Sequence, residues 1–268
     1  MGKGYSLHIG LNYVDPTHYN GWDGKLNACE FDANDMQVIA KSVGFKTSQL
    51  LREAATLKNV TDFITIKAKE LKKGDLLLIT YSGHGGQVPD KNADEEDGMD
   101  ETWCLFDGQL IDDHLKNLWA LFEKEVRVLV FSDSCHSGSI LRSINPTILT
   151  NEEGYATKNL PDTIITSTYL NNKDFYDKIL EDHKTLNEIK ASVKLISGCQ
   201  DNQYSYDGAF NGQFTARVKK VWNGGKFKGN YNKFHKRITH LLPPEQTPNL
   251  LNIGAINSQF NNQIPFEI

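Results

Sequence analysis

The 268-residue chain carries 39% apolar and 24% charged residues and a net charge of −5, the composition of an ordinary soluble globular protein with room for one large α/β domain or two small ones. An acidic balance without a dense lysine–arginine run speaks against nucleic acid as a partner, and the lack of any apolar stretch of about 18 residues speaks against a membrane-spanning helix. Four cysteines without secretory context point to free thiols in a reducing compartment and hence to a cytoplasmic location.

Tyr5 to Tyr13 alternates enough for a first strand, entered directly from Met1-Gly2-Lys3-Gly4, with a loop from Val14 to Gly24 behind it. From Leu26 to Val43, Leu26, Cys29, Met36, Ile39, Ala40 and Val43 recur at helical spacing and Gly44 follows as a C-terminal stop. Phe45 to Leu51 is a second strand candidate, and Leu57, Val60, Phe63, Ile64, Ile66 and Leu71 mark a second helix over Thr56–Leu71. The apolar run Asp75–Tyr81 is the third strand. Gly85 to Phe106 reads as a loop with six acidic residues between Asp94 and Glu101, of which Asp94 to Asp97 are best taken as solvated. Asp113 to Phe122 reads as a helix with carboxylates at its N-terminus. Val126 to Phe131 is a further apolar, β-branched strand. Ile140 to Ser192 is mixed and polar, and Lys173 to Lys190 is charged enough for a solvated helix or a mobile linker. A strand at Val193–Gly198, helical spacing over Phe210–Trp222 and Phe234–Leu242, and a last strand at Pro248–Ile253 complete the chain. Strands alternating with helices predict an α/β fold with a mostly parallel central sheet and helices on both faces.

Two strand ends carry reactive side chains. The third strand breaks into Ser82-Gly83-His84-Gly85-Gly86, and the later apolar strand breaks into Ser132-Asp133-Ser134-Cys135-His136-Ser137-Gly138. Open α/β sheets place their chemistry at the carboxyl ends of their strands. A buried structural thiol is the commoner fate of an intracellular cysteine, but a turn of small residues after a strand favours Cys135 as a nucleophile, with His84 as general acid and base. His136 competes for the role of base, yet its adjacency to Cys135 gives it poorer geometry. Cys29, Cys104 and Cys199 lack the spacing of a zinc site and read as small core residues.

His84 lies 51 positions upstream of Cys135, close to the spacing of about fifty residues known for caspases. The segments YSGHGG and DSCHSGS resemble the metacaspases, caspase-like cysteine peptidases, as do Leu26–Ala33, the acidic stretch Asp94–Glu101, Ile111-Asp112-Asp113 and Ser197-Gly198-Cys199-Gln200-Asp201. The resemblance implies a caspase-like sandwich. Residues 1–140 would form a large catalytic part, 141–192 a linker or processing segment, and 193–268 a small part completing the same domain. It implies a cysteine endopeptidase with a Cys135–His84 dyad and an oxyanion hole from the backbone N–H groups of Gly85 and Cys135. Asp32, Ser82 and Asp133 match the S1 pocket, so the expected substrates are proteins or peptides with arginine or lysine at P1.

The chemistry needs no cofactor. The resemblance also implies calcium ligands at Asp100, Asp112 and Asp113, but Arg142 stands where calcium-activated members carry a further aspartate, which leaves calcium activation open. Arg142, Lys158, Lys173, Lys178, Lys184 and Lys190 make self-processing after one of them an expectation. A compact form without an N-terminal pro-region, and a monomer, are the working expectations. A relative cutting after asparagine or aspartate, and a catalytically silent caspase-like scaffold, stay open as rivals.

Overall fold

The computed structural model describes residues 2–268 apart from 93, 94, 96, 136–155, 184, 186, 201 and 202. The main sheet is built on two apolar strands, β3 (Leu76–Ser82) and β7 (Arg127–Asp133), every residue of which is buried. Such runs suit central parallel strands covered on both faces. β1 (Gly4–Gly10) and then β2 (Lys46–Leu51) extend the sheet on one side, and β8 (Ser192–Ser197) and β9 (Asn249–Gly254) on the other. The order is β2-β1-β3-β7-β8-β9, parallel throughout except for β9, which runs antiparallel to β8.

Side-chain alternation divides the core in two. Leu77 and Ile79 of β3 and Val128 and Val130 of β7 face one layer, packed with Val60 and Ile64 of α2 (Leu57–Glu70) and Leu115 and Leu118 of α3 (Asp112–Ala120). Leu76, Leu78, Leu129 and Phe131 face the other. They meet Met36 and Ile39 of α1 (Cys29–Ser42), Phe214 and Val218 of α6 (Gln213–Trp222), and Phe234 of α7 (Tyr231–Thr239). The short α8 (Ser258–Asn262) adds Phe260 to this layer. The C-terminal part therefore completes the sheet and core of the N-terminal part.

Two stretches differ from the sequence reading. The expected loop from Gly85 to Phe106 holds β4 (Gly85–Pro89) and β5 (Met99–Leu105), which form a three-stranded antiparallel sheet with β6 (Gly108–Ile111). Paired glycines and carboxylates conceal strand propensity there, while Trp103, Cys104 and Leu105 are buried in the core. The described part of the expected linker carries α4 (Asp162–Asn171) and α5 (Lys173–His183). Helix α5 is docked rather than solvated, because Tyr176 and Leu180 bury a narrow stripe against Val88 and Ile111.

Replacing Phe234, which is fully buried with its ring centroid 5.0 Å from that of Phe227 and 6.0 Å from that of Phe266, tests the shared core. Phe234→Ala should destabilise the whole chain by about 3–5 kcal/mol in a single urea transition, measured with Cys135→Ala as background; separate transitions for two parts would contradict the shared core.

Candidate active site

The register Ser82↔Asp133 brings the ends of β3 and β7 level. The chain then turns from β3 through His84 into β4, while Cys135 leaves β7 on the same edge of the sheet. The His84 backbone is fixed by its carbonyl, which accepts bonds from the Tyr81 hydroxyl (2.6 Å) and the Cys104 N–H (2.9 Å). Its ring lies edge-on to Trp22, with centroids 4.7 Å apart, and Nε2 is 2.9 Å from the Gly24 carbonyl. A carbonyl can only accept, so Nε2 carries the proton and the neutral ring keeps a basic lone pair on Nδ1. That atom is buried without a hydrogen-bond partner among the described residues. Burial lowers the His84 pKa to about 4; the Gly24 carbonyl opposes the shift and the Lys158 charge adds to it. The imidazole is thus neutral at ordinary pH.

Cys135 is fully buried. Its Sγ accepts the Ser205 N–H at 2.9 Å and lies 3.3 Å from the Ser205 carbonyl, to which the thiol donates. The sequence reading places this thiol in a tight turn of small residues that argues against burial, whereas the structure buries it beside Ser205 and bonds its backbone N–H to the Lys158 carbonyl.

Residues 156–160 are bonded on both sides. Asp207 N–H donates to the Ala156 carbonyl (2.8 Å), Thr157 bridges Tyr206 in antiparallel fashion, and Lys158 N–H donates to the Ser205 carbonyl (2.9 Å). The Lys158 carbonyl accepts from the N–H groups of Gly85 and Cys135, each at 3.0 Å, and Leu160 N–H donates to the Gly85 carbonyl at 2.7 Å. Two N–H groups converging on one carbonyl oxygen polarise it and can hold the charge of a tetrahedral adduct.

The Lys158 side chain is fully buried, with Nζ 3.1 Å from Asp32 Oδ2, 3.2 Å from Asp133 Oδ1 and 2.9 Å from Ser82 Oγ. The structure thus brings Asp32, Ser82 and Asp133 together around a lysine of the same chain. Asp32 also accepts from Ser82 Oγ (2.7 Å), Gly212 N–H (3.0 Å) and Asn211 Nδ2 (3.0 Å). Asp133 accepts from Ser205 Oγ (2.7 Å) and from the N–H and hydroxyl of Thr215 (3.1 and 2.7 Å). Burial pushes the Asp32 carboxyl up to about 6 against the pull of Lys158, and it also works against the Lys158 charge, but Asp133, Cys29 and Asp32 hold the ammonium well above its ordinary range. Gly212 closes the pocket, where a Cβ would lie 2.4 Å from Lys158 Nζ.

Asp100, Asp112 and Asp113 also meet, with carboxylate oxygens within 4.8 Å of one another, and Glu95, Glu101 and Asp112 form an adjoining group. An all-carboxylate set fits a hard cation such as calcium. Lys116, one turn along α3, reaches into it, with Nζ 2.8 Å from Asp112, 3.2 Å from Asp113 and 3.8 Å from Glu95. His136, Arg142 and Lys184 lie outside the described residues. Cys29, Cys104 and Cys199 are buried.

Trp22, Gly24, Ser205, Asp207 and Gly212 contribute to the site with no motif to announce them, and Lys158 stood out only as one of six basic residues. Asp207 also accepts the N–H groups of Asn27 (2.6 Å) and Ala28 (3.1 Å), anchoring the entrance to α1.

Residues 13–265 match the family model described as the caspase domain, and the chain belongs to that family. Within it the chain is distantly homologous to metacaspases. It is 28% identical over 257 residues to Metacaspase-1 of Kluyveromyces lactis and 27% over 254 residues to Metacaspase-1 of Schizosaccharomyces pombe. Each match covers 81% of this chain but only 57% and 58% of those proteins, so the chain spans little more than half their length. The crystal structure of protein GSU0716 from Geobacter sulfurreducens superposes with a TM-score of 0.91 at 51% identity, covering 98% of both chains. Caspase-1 from Spodoptera frugiperda superposes at 0.55 with 12% identity over 94% of this chain and 88% of that one, a likeness of fold alone. No helix among the described residues is long and apolar enough to cross a membrane.

Removing the buried ammonium strands two carboxylates in a desolvated pocket. With Cys135→Ala as background, Lys158→Met should lower unfolding free energy at pH 8 by about 3–5 kcal/mol, read by urea denaturation; an unchanged midpoint would mean that the ion triad contributes nothing.

Proposed function

We propose that this chain is a cysteine endopeptidase that cuts proteins after lysine or arginine, and that it is made as a zymogen whose first substrate is its own Lys158–Asn159 bond. One observation carries the reading: Lys158 puts its carbonyl between two backbone N–H donors and its ammonium between two carboxylates. These are the contacts that a basic P1 residue needs for both binding and reaction.

In this mechanism the Cys135 thiol gives its proton to His84 Nδ1 as Sγ attacks the Lys158 carbonyl carbon. The N–H groups of Gly85 and Cys135 stabilise the oxyanion. Collapse breaks the C–N bond, His84 returns the proton to the Asn159 nitrogen, and a thioester joins Cys135 to Lys158. A water molecule, deprotonated by His84, then attacks the thioester. The products are the Lys158 carboxylate and the restored thiol. Substrates in trans would follow the same course with arginine or lysine in place of Lys158. A pocket of two carboxylates repels aspartate and leaves asparagine without a counter-charge, which disfavours the rival specificities. A silent scaffold would also fill its cleft, but it would have no use for a carbonyl aligned on two donors beside a thiol and a basic imidazole.

Asp100, Asp112 and Asp113 would hold calcium in this reading; the ion would supply charge that steadies the start of α3, and Lys116 would have to withdraw.

Purified wild-type chain should convert into fragments 1–158 and 159–268, identified by mass spectrometry. Cys135→Ala and His84→Ala should stay intact, Lys158→Arg should still be cut, and Lys158→Asp should not. The processed enzyme should hydrolyse Arg and Lys reporter peptides at least a hundredfold faster than Asp or Asn peptides. Cleavage unaffected by Cys135→Ala would end the proposal. For calcium, Lys116→Gln with Cys135→Ala should bind the ion at least tenfold more tightly than Cys135→Ala alone, measured by titration calorimetry; equal affinities would show that Lys116 does not compete.

A further inference from the structure

The segment in the cleft continues past Lys158, and its far side is as closely fitted as its near side. Leu160 is 1% exposed and belongs to the large core layer. Its N–H donates to the Gly85 carbonyl at 2.7 Å, and Asn159 bridges Gly85 in parallel fashion. Thr157, Lys158 and Leu160 are buried and Asn159 is half-buried, so the side chains on both sides of the Lys158–Asn159 bond are turned into the protein. The surface beneath Leu160 depends on Gly86, where a Cβ would stand 3.1 Å from Leu160 Cδ2 and 2.4 Å from Gln109 Oε1.

Gly85 therefore holds the segment on both sides of one peptide bond. Its N–H donates to the carbonyl of Lys158, and its C=O accepts the N–H of Leu160. A peptide that engages the second contact is already in register for the first, which is how remote binding energy positions a reacting carbonyl.

We propose that the Gly85–Gly86 edge of β4, with the apolar ground beneath it, is an S2′ subsite. It selects a leucine or a similar aliphatic residue two positions after the basic residue. The inference rests on the peptidase reading above and deepens it. The substrate class becomes extended protein segments of the form basic–x–aliphatic, read on both sides of the cut. Leu160 of the chain itself is the first occupant and must leave before a substrate can use the subsite.

The test uses the processed full-length enzyme and three substrates. Two are internally quenched peptides, one containing Ala-Thr-Lys-Asn-Leu and the other Ala-Thr-Lys-Asn-Asp. The third is the coumarin amide of Ala-Thr-Lys, which has no P2′ residue. The leucine peptide should exceed the aspartate peptide in kcat/KM by roughly tenfold to a hundredfold, the worth of burying one leucine side chain. Coumarin release with equal turnover of both peptides would overturn the subsite and leave the peptidase reading standing. Silence on all three substrates would overturn both.

Discussion

The site depends on one buried ion cluster, the Lys158 ammonium held between Asp32 and Asp133. It joins parts of the chain that are far apart in sequence: α1 supplies Asp32, β3 ends in Ser82, β7 ends in Asp133, Gly212 caps the start of α6 and Thr215 lies in its first turn. Desolvating three charges is expensive, and buried ion clusters are often no more stabilising than apolar packing of the same volume. Their strength is in register. An ammonium that must reach both carboxylates and one hydroxyl admits a single placement of the segment, and that placement sets the carbonyl of Lys158 between Gly85 and Cys135.

The same geometry fills the pocket with a residue of the chain itself. A tethered lysine meets the pocket at an effective concentration that a free ligand rarely matches, so under the proposed function the chain would be its own best competitor. Burial also tunes the histidine. The buried His84 ring, packed on Trp22, has its pKa lowered to about 4, which leaves Nδ1 unprotonated.

Much of this architecture was legible in the sequence because parallel sheets advertise themselves. Apolar runs at Leu76–Ser82 and Arg127–Asp133 are strands that no other element fits, and a parallel pair in register necessarily delivers both following turns to one edge. His84 and Cys135 follow from that rule. The small sheet β4–β5–β6 was hidden by its glycines and carboxylates, and α5 by the charges around its two buried residues. Lys158 was indistinguishable from five other basic residues, since what sets it apart is contact with Asp32, 126 positions away, and no local pattern encodes such a distance. Trp22 and Gly24 escaped for the same reason: a carbonyl that fixes an imidazole tautomer leaves no trace in composition.

The electrostatics of the pocket link the resting state to the proposed specificity. Burial pushes Asp32 up to about 6 even with a lysine beside it, so desolvation works against the carboxylate charge that Lys158 offsets. When Lys158 withdraws, the unbalanced charge must be met by water, by a proton or by another basic side chain. A guanidinium or ammonium restores the balance with the hydrogen-bond donors that both carboxylates require, whereas an acidic side chain adds a third negative charge in a desolvated space. The interaction that holds the chain in its uncut form is, in this reading, the one that defines what the opened cleft accepts.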